Sequence, residues 1–206
     1  EYAGQQALFV VDVDAPGVRV VRTPSYSHAI GHAHPIVAFE DVRVPASHIV
    51  AYEADGMSIH YEWFRFERLK VSARCLGATQ RLVDESTAFA KQRVVSGAPL
   101  IERQLVQAML ADSKAEIYAA RSMVLDAARR RDDKLPVSTE ASCAKLFASE
   151  MCGRVADRAV QIFGGAGYMS EYGIERFYRD VRLFRIYEGT TQIQQLVIAR
   201  NMIREM

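Results

Sequence analysis

The chain has 206 residues, 50% of them hydrophobic and 25% charged, and its 26 Lys and Arg against 25 Asp and Glu leave a formal net charge of +1. That describes a globular chain with material for a real core, and it disfavours nucleic-acid binding, since no basic stripe interleaved with aromatics is found. No apolar run reaches the roughly 18 residues of a membrane helix.

Taken in order, residues 7 to about 45 read as β. Ala7 to Val13 is an apolar, β-branched strand, Ala15-Pro16-Gly17 is a turn, and Val18 to Arg22 partly alternates like a half-exposed strand. Ile36 to Val44 is a third strand, closed by Pro45. Three strands in so short a stretch make an incomplete antiparallel sheet whose edges something else must cover, which points to further strands upstream. The chain also begins at Glu1 and enters a strand almost at once, so any targeting signal would lie outside it. His28, His32 and His34 lie between the second and third strands, but a zinc site wants a fourth ligand and a regular spacing, and a polar loop is the expectation.

Beyond Gly56 the pattern turns helical. One long helix is expected from about Ser58 to Arg93, with Trp63, Phe66, Leu69, Ala73, Leu76, Leu82 and Phe89 near one face. Val94 to Leu100 breaks it. A second helix runs from about Ile101 to Arg131 on Leu105, Met109, Ile117, Val124 and Ala128, its basic end suiting the negative end of the helix dipole. Leu135-Pro136 punctuates, a third helix spans about Thr139 to Phe163, and Gly164-Gly165-Ala166-Gly167 stops it. Cys75, Cys143 and Cys152 are odd in number, lack metal-type spacing and fall in helical patterns, so they read as buried thiols in a reducing compartment.

The stretch Arg185 to Gln195 places a carboxylate beside a glycine and then starts a helix. Thr190 or Thr191 is a good N-cap, and Ile193, Leu196, Val197, Arg200 and Ile203 follow at steps of three and four. Glu188 is thereby set on a tight turn at a positively polarised helix end, where a buried carboxylate can be held; the plainer reading is an acidic residue in an N-terminal turn. The fold class is mainly α: residues 54–206 form an up-and-down four-helix bundle, preceded over residues 1–53 by a partial antiparallel β-domain.

Val160 to Tyr168 (VQIFGGAGY), Tyr178-Arg179-Asp180-Val181-Arg182 and Ile186-Tyr187-Glu188-Gly189-Thr190 with Gln192-Ile193 resemble the C-terminal signatures of the acyl-CoA dehydrogenases. Phe39-Glu40-Asp41-Val42-Arg43-Val44-Pro45 resembles the phrase that ends that family's β-domain. The order and approximate spacing agree across almost the whole chain. The family's N-terminal helical domain and the first half of its β-domain are not represented, so the chain looks like the C-terminal portion only.

The resemblance implies an FAD enzyme that oxidises an acyl-CoA to the trans-2-enoyl-CoA and passes electrons to an electron-transfer flavoprotein. Glu188 matches the family's usual base. Gly189 leaves room for the thioester, and Tyr187 and Arg68 are further substrate-side positions. Thr190 and Gln192 match positions that meet the flavin or its diphosphate chain. Gln161 and Gly165 match residues that meet the adenosine end of FAD from a neighbouring subunit. Arg93 and Gln104 match the pair that holds the pyrophosphate across that interface, a task that suits a planar guanidinium; alone, Arg93 reads as a solvated helix-end charge. Val95 and Ser96 depart from the family, which often has a polar residue and then Phe before the glycine matching Gly97, and a lost hydroxyl and aromatic would weaken FAD retention.

A second carboxylate competes for the base. Phe66-Glu67-Arg68-Leu69 resembles the Glu-Arg pair of the isovaleryl and long-chain branches, whose base sits on this helix. Two carboxylates aimed at one carbon cannot both stay ionised cheaply. Glu188 is favoured because its surrounding phrase is intact, with Glu67 as an ion-pair partner of Arg68 or Lys70. The family's habit implies a homo-oligomer, a tetramer, in the bacterial cytoplasm or the mitochondrial matrix. Competing readings are a same-fold acyl-CoA oxidase or nitroalkane oxidase, the latter opposed by Glu188 because it uses Asp there, and a non-catalytic relative or inert fragment. No metal is expected. The piece alone is expected to hold FAD weakly or not at all, because the flavin would be clamped partly by the portion not represented.

Overall fold

Residues 7–28, 34–51 and 56–205 are described in the computed structural model of the protein. The chain divides into two compact units, residues 1–64 and residues 65–206.

In the first unit, β1 (Leu8–Phe9) pairs antiparallel with β4 (Ile49–Ala51), and β2 (Val18–Arg22) pairs antiparallel with β3 (Ile36–Phe39). The β2–β3 register sets Val18 against Phe39 and Val20 against Val37. Strands expected over 7–13 and 36–44 are therefore shorter. The first gives way because the Ala15 N–H already bonds back to the Asp12 carbonyl, starting the turn at Asp12. The third ends where Asp41 takes φ 49°, which no extended strand accommodates. The short strand β4 was not expected at all. Tyr26, His28 and His34 pack their rings together, with Tyr26 and His28 stacked at 5.1 Å. His32 lies outside the described residues.

The helices begin with α1 (Gly56–Gln92), followed by α2 (Gln104–Asp132), α3 (Ser138–Phe163), the short α4 (Gly165–Tyr168) and α5 (Ile174–Val181), and α6 (Thr191–Arg204). Between α1 and α2 the break is a hairpin of β5 (Val94–Val95) and β6 (Ala98–Pro99), turned by Ser96 and Gly97, both at positive φ. Arg103 clamps that turn, donating to the Val95 carbonyl at 2.6 Å.

Leu69, Ala127, Val137 and Ala141 cluster at one end of the bundle, and Ala90, Val106 and Ile162 at the other. So α1 and α3 run the same way and α2 runs against them. Asn201 near the end of α6 donates to Ser138 and Thr139 at the start of α3, so α6 also runs against α3. This is the expected up-and-down bundle.

The core-facing stripes agree only in part with those read in the sequence: Leu69, Leu76, Leu82, Ile117 and Val124 are buried as expected, but others are not. Trp63 is 65% exposed, Leu105 81% and Ile203 74%, and Phe66, Ala73, Ile193 and Leu196 also lie outside. In their place α1 buries Val71, Ser72, Cys75, Thr79 and Ser86, and α3 buries Ala141, Ala144, Ala148, Cys152, Ala156 and Ala159. Small side chains let helix backbones approach closely at these positions. Two of the buried hydroxyls bond within their own helix, Thr79 to the Cys75 carbonyl at 2.8 Å and Ser72 to the Arg68 carbonyl at 2.7 Å, whereas the Ser86 hydroxyl has no hydrogen-bond partner among the described residues. All three cysteines are free; Cys75 and Cys152 are buried, whereas Cys143, expected buried, is only half-buried. Among the described residues no helix is long and apolar enough to cross a membrane.

Candidate active site

The segment from α5 to α6 passes through a 3-10 turn, Arg182–Arg185, and then Ile186 to Gly189. Glu188 has φ 54° and Gly189 φ 91°. A left-handed conformation costs a non-glycine residue roughly 1–2 kcal/mol, so Glu188 is held there by its surroundings, as strained residues at functional sites commonly are.

Those surroundings are buried polar groups of α3 and α6. Gln194, fully buried, donates its amide to the Glu188 and Gly189 carbonyls, each at 3.1 Å. Lys145, also fully buried, donates to the Gly189 carbonyl at 2.6 Å. Thr190 is the N-cap of α6, its hydroxyl accepting from the Ile193 N–H at 3.3 Å. Glu150 of α3 accepts from Thr191 at 2.7 Å and from Arg185 at 3.3 Å, which ties both flanks of the turn to the bundle.

The turn stands beside the first half of α1. Burial pushes the Glu188 carboxyl above the ordinary carboxylate range, and the Glu67 charge adds to the rise; Lys70, Lys145 and Arg68 oppose it. Glu67 is itself engaged, accepting from Lys70 at 2.6 Å. The two candidate carboxylates therefore share one electrostatic neighbourhood in unequal roles. Glu67 is ion-paired with its own cation, and Glu188 is left more basic. Arg68 donates to Ser142 at 3.1 Å, while its Nε is buried with no hydrogen-bond partner among the described residues. Tyr187 turns its ring onto Phe184, centroids 5.8 Å apart, and burial raises its hydroxyl's pKa against a hydrogen bond with Arg74.

The remaining expected site residues do not join this group. Arg93, just past α1, Gln104, which opens α2, and Gln161 and Gly165, at the end of α3 and the start of α4, are all exposed. They lie at the end of the bundle where Ala90, Val106 and Ile162 meet and Phe89 stacks on Phe163 at 4.1 Å. From Glu67 to that end of α1 is about 37 Å by the rise per residue of an α-helix. Thr190 is half-buried and Gln192 exposed in the first turn of α6, on the Glu188 side.

Lys145 and Gln194 are the site residues that sequence reasoning missed. Lys145 interrupts a run of small residues at the helical spacing of Ala141, Ala148 and Cys152, so its place on a buried stripe was readable. Gln194 stands among Gln192 and Gln195, and nothing in the sequence separates the three. Among the described residues no group of three or more His, Cys, Asp and Glu is placed to hold a metal ion.

Residues 54–203 match the family model for the acyl-CoA dehydrogenase C-terminal domain. The chain is 40% identical over 198 residues to the probable acyl-CoA dehydrogenase YngJ of Bacillus subtilis, covering 96% of this chain and 52% of that protein. It is 37% identical to the caffeyl-CoA reductase-Etf complex subunit CarC of Acetobacterium woodii, over 97% of this chain and 52% of that one. The three-dimensional structure of butyryl-CoA dehydrogenase from Megasphaera elsdenii superposes with a TM-score of 0.92 at 33% identity, over 96% of this chain and 52% of that one. The chain thus spans about half the length of these relatives. With the bundle and the family model in agreement over most of its length, the chain belongs to the acyl-CoA dehydrogenase family.

Proposed function

We propose that the chain supplies the base and the C-terminal half-site of an FAD-dependent enzyme that converts an acyl-CoA thioester to its trans-2-enoyl-CoA. The observation that carries this reading is the Glu188 carboxyl, made more basic by burial and fixed on a strained turn by Lys145 and Gln194. An α-proton is far too weakly acidic for a free carboxylate. Raising the base's pKa narrows that gap, and a backbone N–H from Glu188 to the thioester carbonyl would stabilise the enolate charge where it develops. Glu188 takes the α-proton. Gly189 keeps the approach to the thioester open, and Arg68 places a cation beside the carboxylate. Bound FAD would supply the acceptor for the β-hydrogen.

The donor set fits an anionic dinucleotide. Arg93, Gln104 and Gln161 present a guanidinium and two amides from one exposed end of the bundle, and Thr190 and Gln192 present a hydroxyl and an amide beside Glu188. The separation of about 37 Å along α1 is farther than one extended FAD reaches. The two groups would therefore serve different FAD molecules, and Arg93, Gln104, Gln161 and Gly165 would meet that of an adjacent subunit. The outward apolar residues of α6, Ile193, Leu196 and Ile203, support self-association. Light scattering on the whole protein at micromolar concentration should give an oligomer, the tetramer of the family's habit; a monomer there removes this part of the reading. Electron-transfer flavoprotein is the acceptor we favour, because a similar protein carries Etf in its name.

The test is anaerobic mixing of the whole protein with a panel of saturated acyl-CoAs, followed at the flavin absorbance. Bleaching by one or more members is expected, and the preferred chain length names the substrate. A protein that retains FAD yet bleaches with none of them is not an acyl-CoA dehydrogenase.

A further inference from the structure

The buried stripe of α3 carries one ammonium, Lys145, with none of its surface exposed. Burying a cation is costly unless something in the fold requires it. Its hydrogen bond goes to a backbone carbonyl, that of Gly189, at 2.6 Å, and not to a carboxylate. Arg68 and Cys75 face it from α1, Glu150 from its own helix and Glu188 from the turn.

We propose that Lys145 is a positioning residue for Glu188, a role that rests on Glu188 being the base: its ammonium anchors the turn through the Gly189 carbonyl, and its charge biases the neighbouring carboxyl toward the ionised form that accepts a proton. The anchor has a directional consequence. Lys145 and Gln194 draw the Glu188 and Gly189 carbonyls to one side of the turn, and across trans peptides the N–H groups of Gly189 and Thr190 point the other way. The turn thus has a carbonyl side closed by the bundle and a donor side facing away from it.

The charge has a pH range. Burial, with the like charge of Arg68, brings Lys145 from 10.5 down to about 8 against the pull of Cys75, Glu150 and Glu188. It is therefore cationic wherever Glu188 titrates below that, and the bias fades as pH rises past about 8. Removing a nearby cation raises a carboxyl's pKa, and a base works only when deprotonated. The acid limb of the bleaching rate must then move to higher pH.

Lys145→Met in the whole FAD-loaded protein should shift that midpoint up by about one pH unit or more, with a rate loss of about tenfold per unit on the acid side and a smaller loss on the plateau. Lys145→Arg, if it folds, should restore the midpoint. A midpoint that stays put in Lys145→Met while only thermal stability falls makes Lys145 a structural residue and overturns the proposal. Coupling between two titrating sites is reciprocal, which supplies a second measurement should neither variant fold. In protein labelled with 13C at the lysine ε-carbons, Glu188→Gln should lower the Lys145 midpoint below its wild-type value. An unmoved Lys145 midpoint also overturns the proposal. Failure of the base reading looks different: Glu188→Gln would then bleach normally, whatever Lys145 does.

Discussion

Glu188→Gln in the whole FAD-loaded protein should still bind acyl-CoA and hold its flavin, yet lose bleaching by a factor of about 10² to 10⁴, the usual cost of removing a positioned general base. The amide preserves the shape of the side chain, and the backbone donor is unchanged. Glu67→Gln should cost far less, because Glu67 is engaged in an ion pair with Lys70 at 2.6 Å and does not take the α-proton. Its loss removes a like charge that raises the Glu188 carboxyl, so the acid limb should move to slightly lower pH. The raised carboxyl also has a stability signature. The folded state binds the Glu188 proton more tightly than the unfolded chain, so this contribution is full below the ordinary carboxylate range and is lost as pH rises through the raised midpoint. Glu188→Gln should therefore gain stability relative to wild type near neutral pH. Stopped-flow bleaching and thermal melts across pH read all three effects. If Glu67→Gln is the dead variant and Glu188→Gln bleaches at the wild-type rate, the base belongs to α1.

Gly189→Ala should be the most damaging small substitution in the turn. At φ 91° an L-residue is strained by roughly 1–2 kcal/mol or more. The new Cβ would stand 2.5 Å from the Gln194 Nε2, the amide that holds the Glu188 and Gly189 carbonyls. Gln194 would have to withdraw from both, leaving buried polar groups unpaired at about 1–3 kcal/mol. A total destabilisation of about 2–5 kcal/mol by denaturant titration is expected from these terms, together with a bleaching defect, because the same displacement releases Glu188. A variant as stable as wild type would mean that the turn is not held as the hydrogen bonds imply.

The long helices were legible in the sequence to within a few residues because each carries a 3.6-residue pattern bounded by Gly, Pro or a capping hydroxyl. Their inward faces were less so. Hydrophobicity pointed correctly to Leu69, Leu82 and Ile117 but also to the exposed Trp63, Phe66, Leu105 and Ile203, whereas much of the remaining core is Ala, Ser, Thr and Cys, which periodicity scales weigh lightly. In the first unit the strand ends were set by backbone geometry at Asp12 and Asp41, which side-chain alternation does not encode. The Glu188 turn itself was readable, since a carboxylate, a glycine and two capping threonines occur in that order. Its support was not, because Lys145 and Gln194 lie 44 and 5 residues from the Gly189 carbonyl they share, and such pairings exist only once the helices have packed.

The carbonyls of the Glu188 turn are bonded by side chains of α3 and α6, and its flanks by Glu150. A surface loop normally opens far more often than the body it is attached to. This one has no such freedom, since withdrawing it strands a buried ammonium and a buried amide. The lifetime of the poised base is then the lifetime of the bundle. On a thermal ramp, catalytic competence and helical circular dichroism should vanish together, without the earlier loss of function shown by enzymes whose catalytic loops melt first.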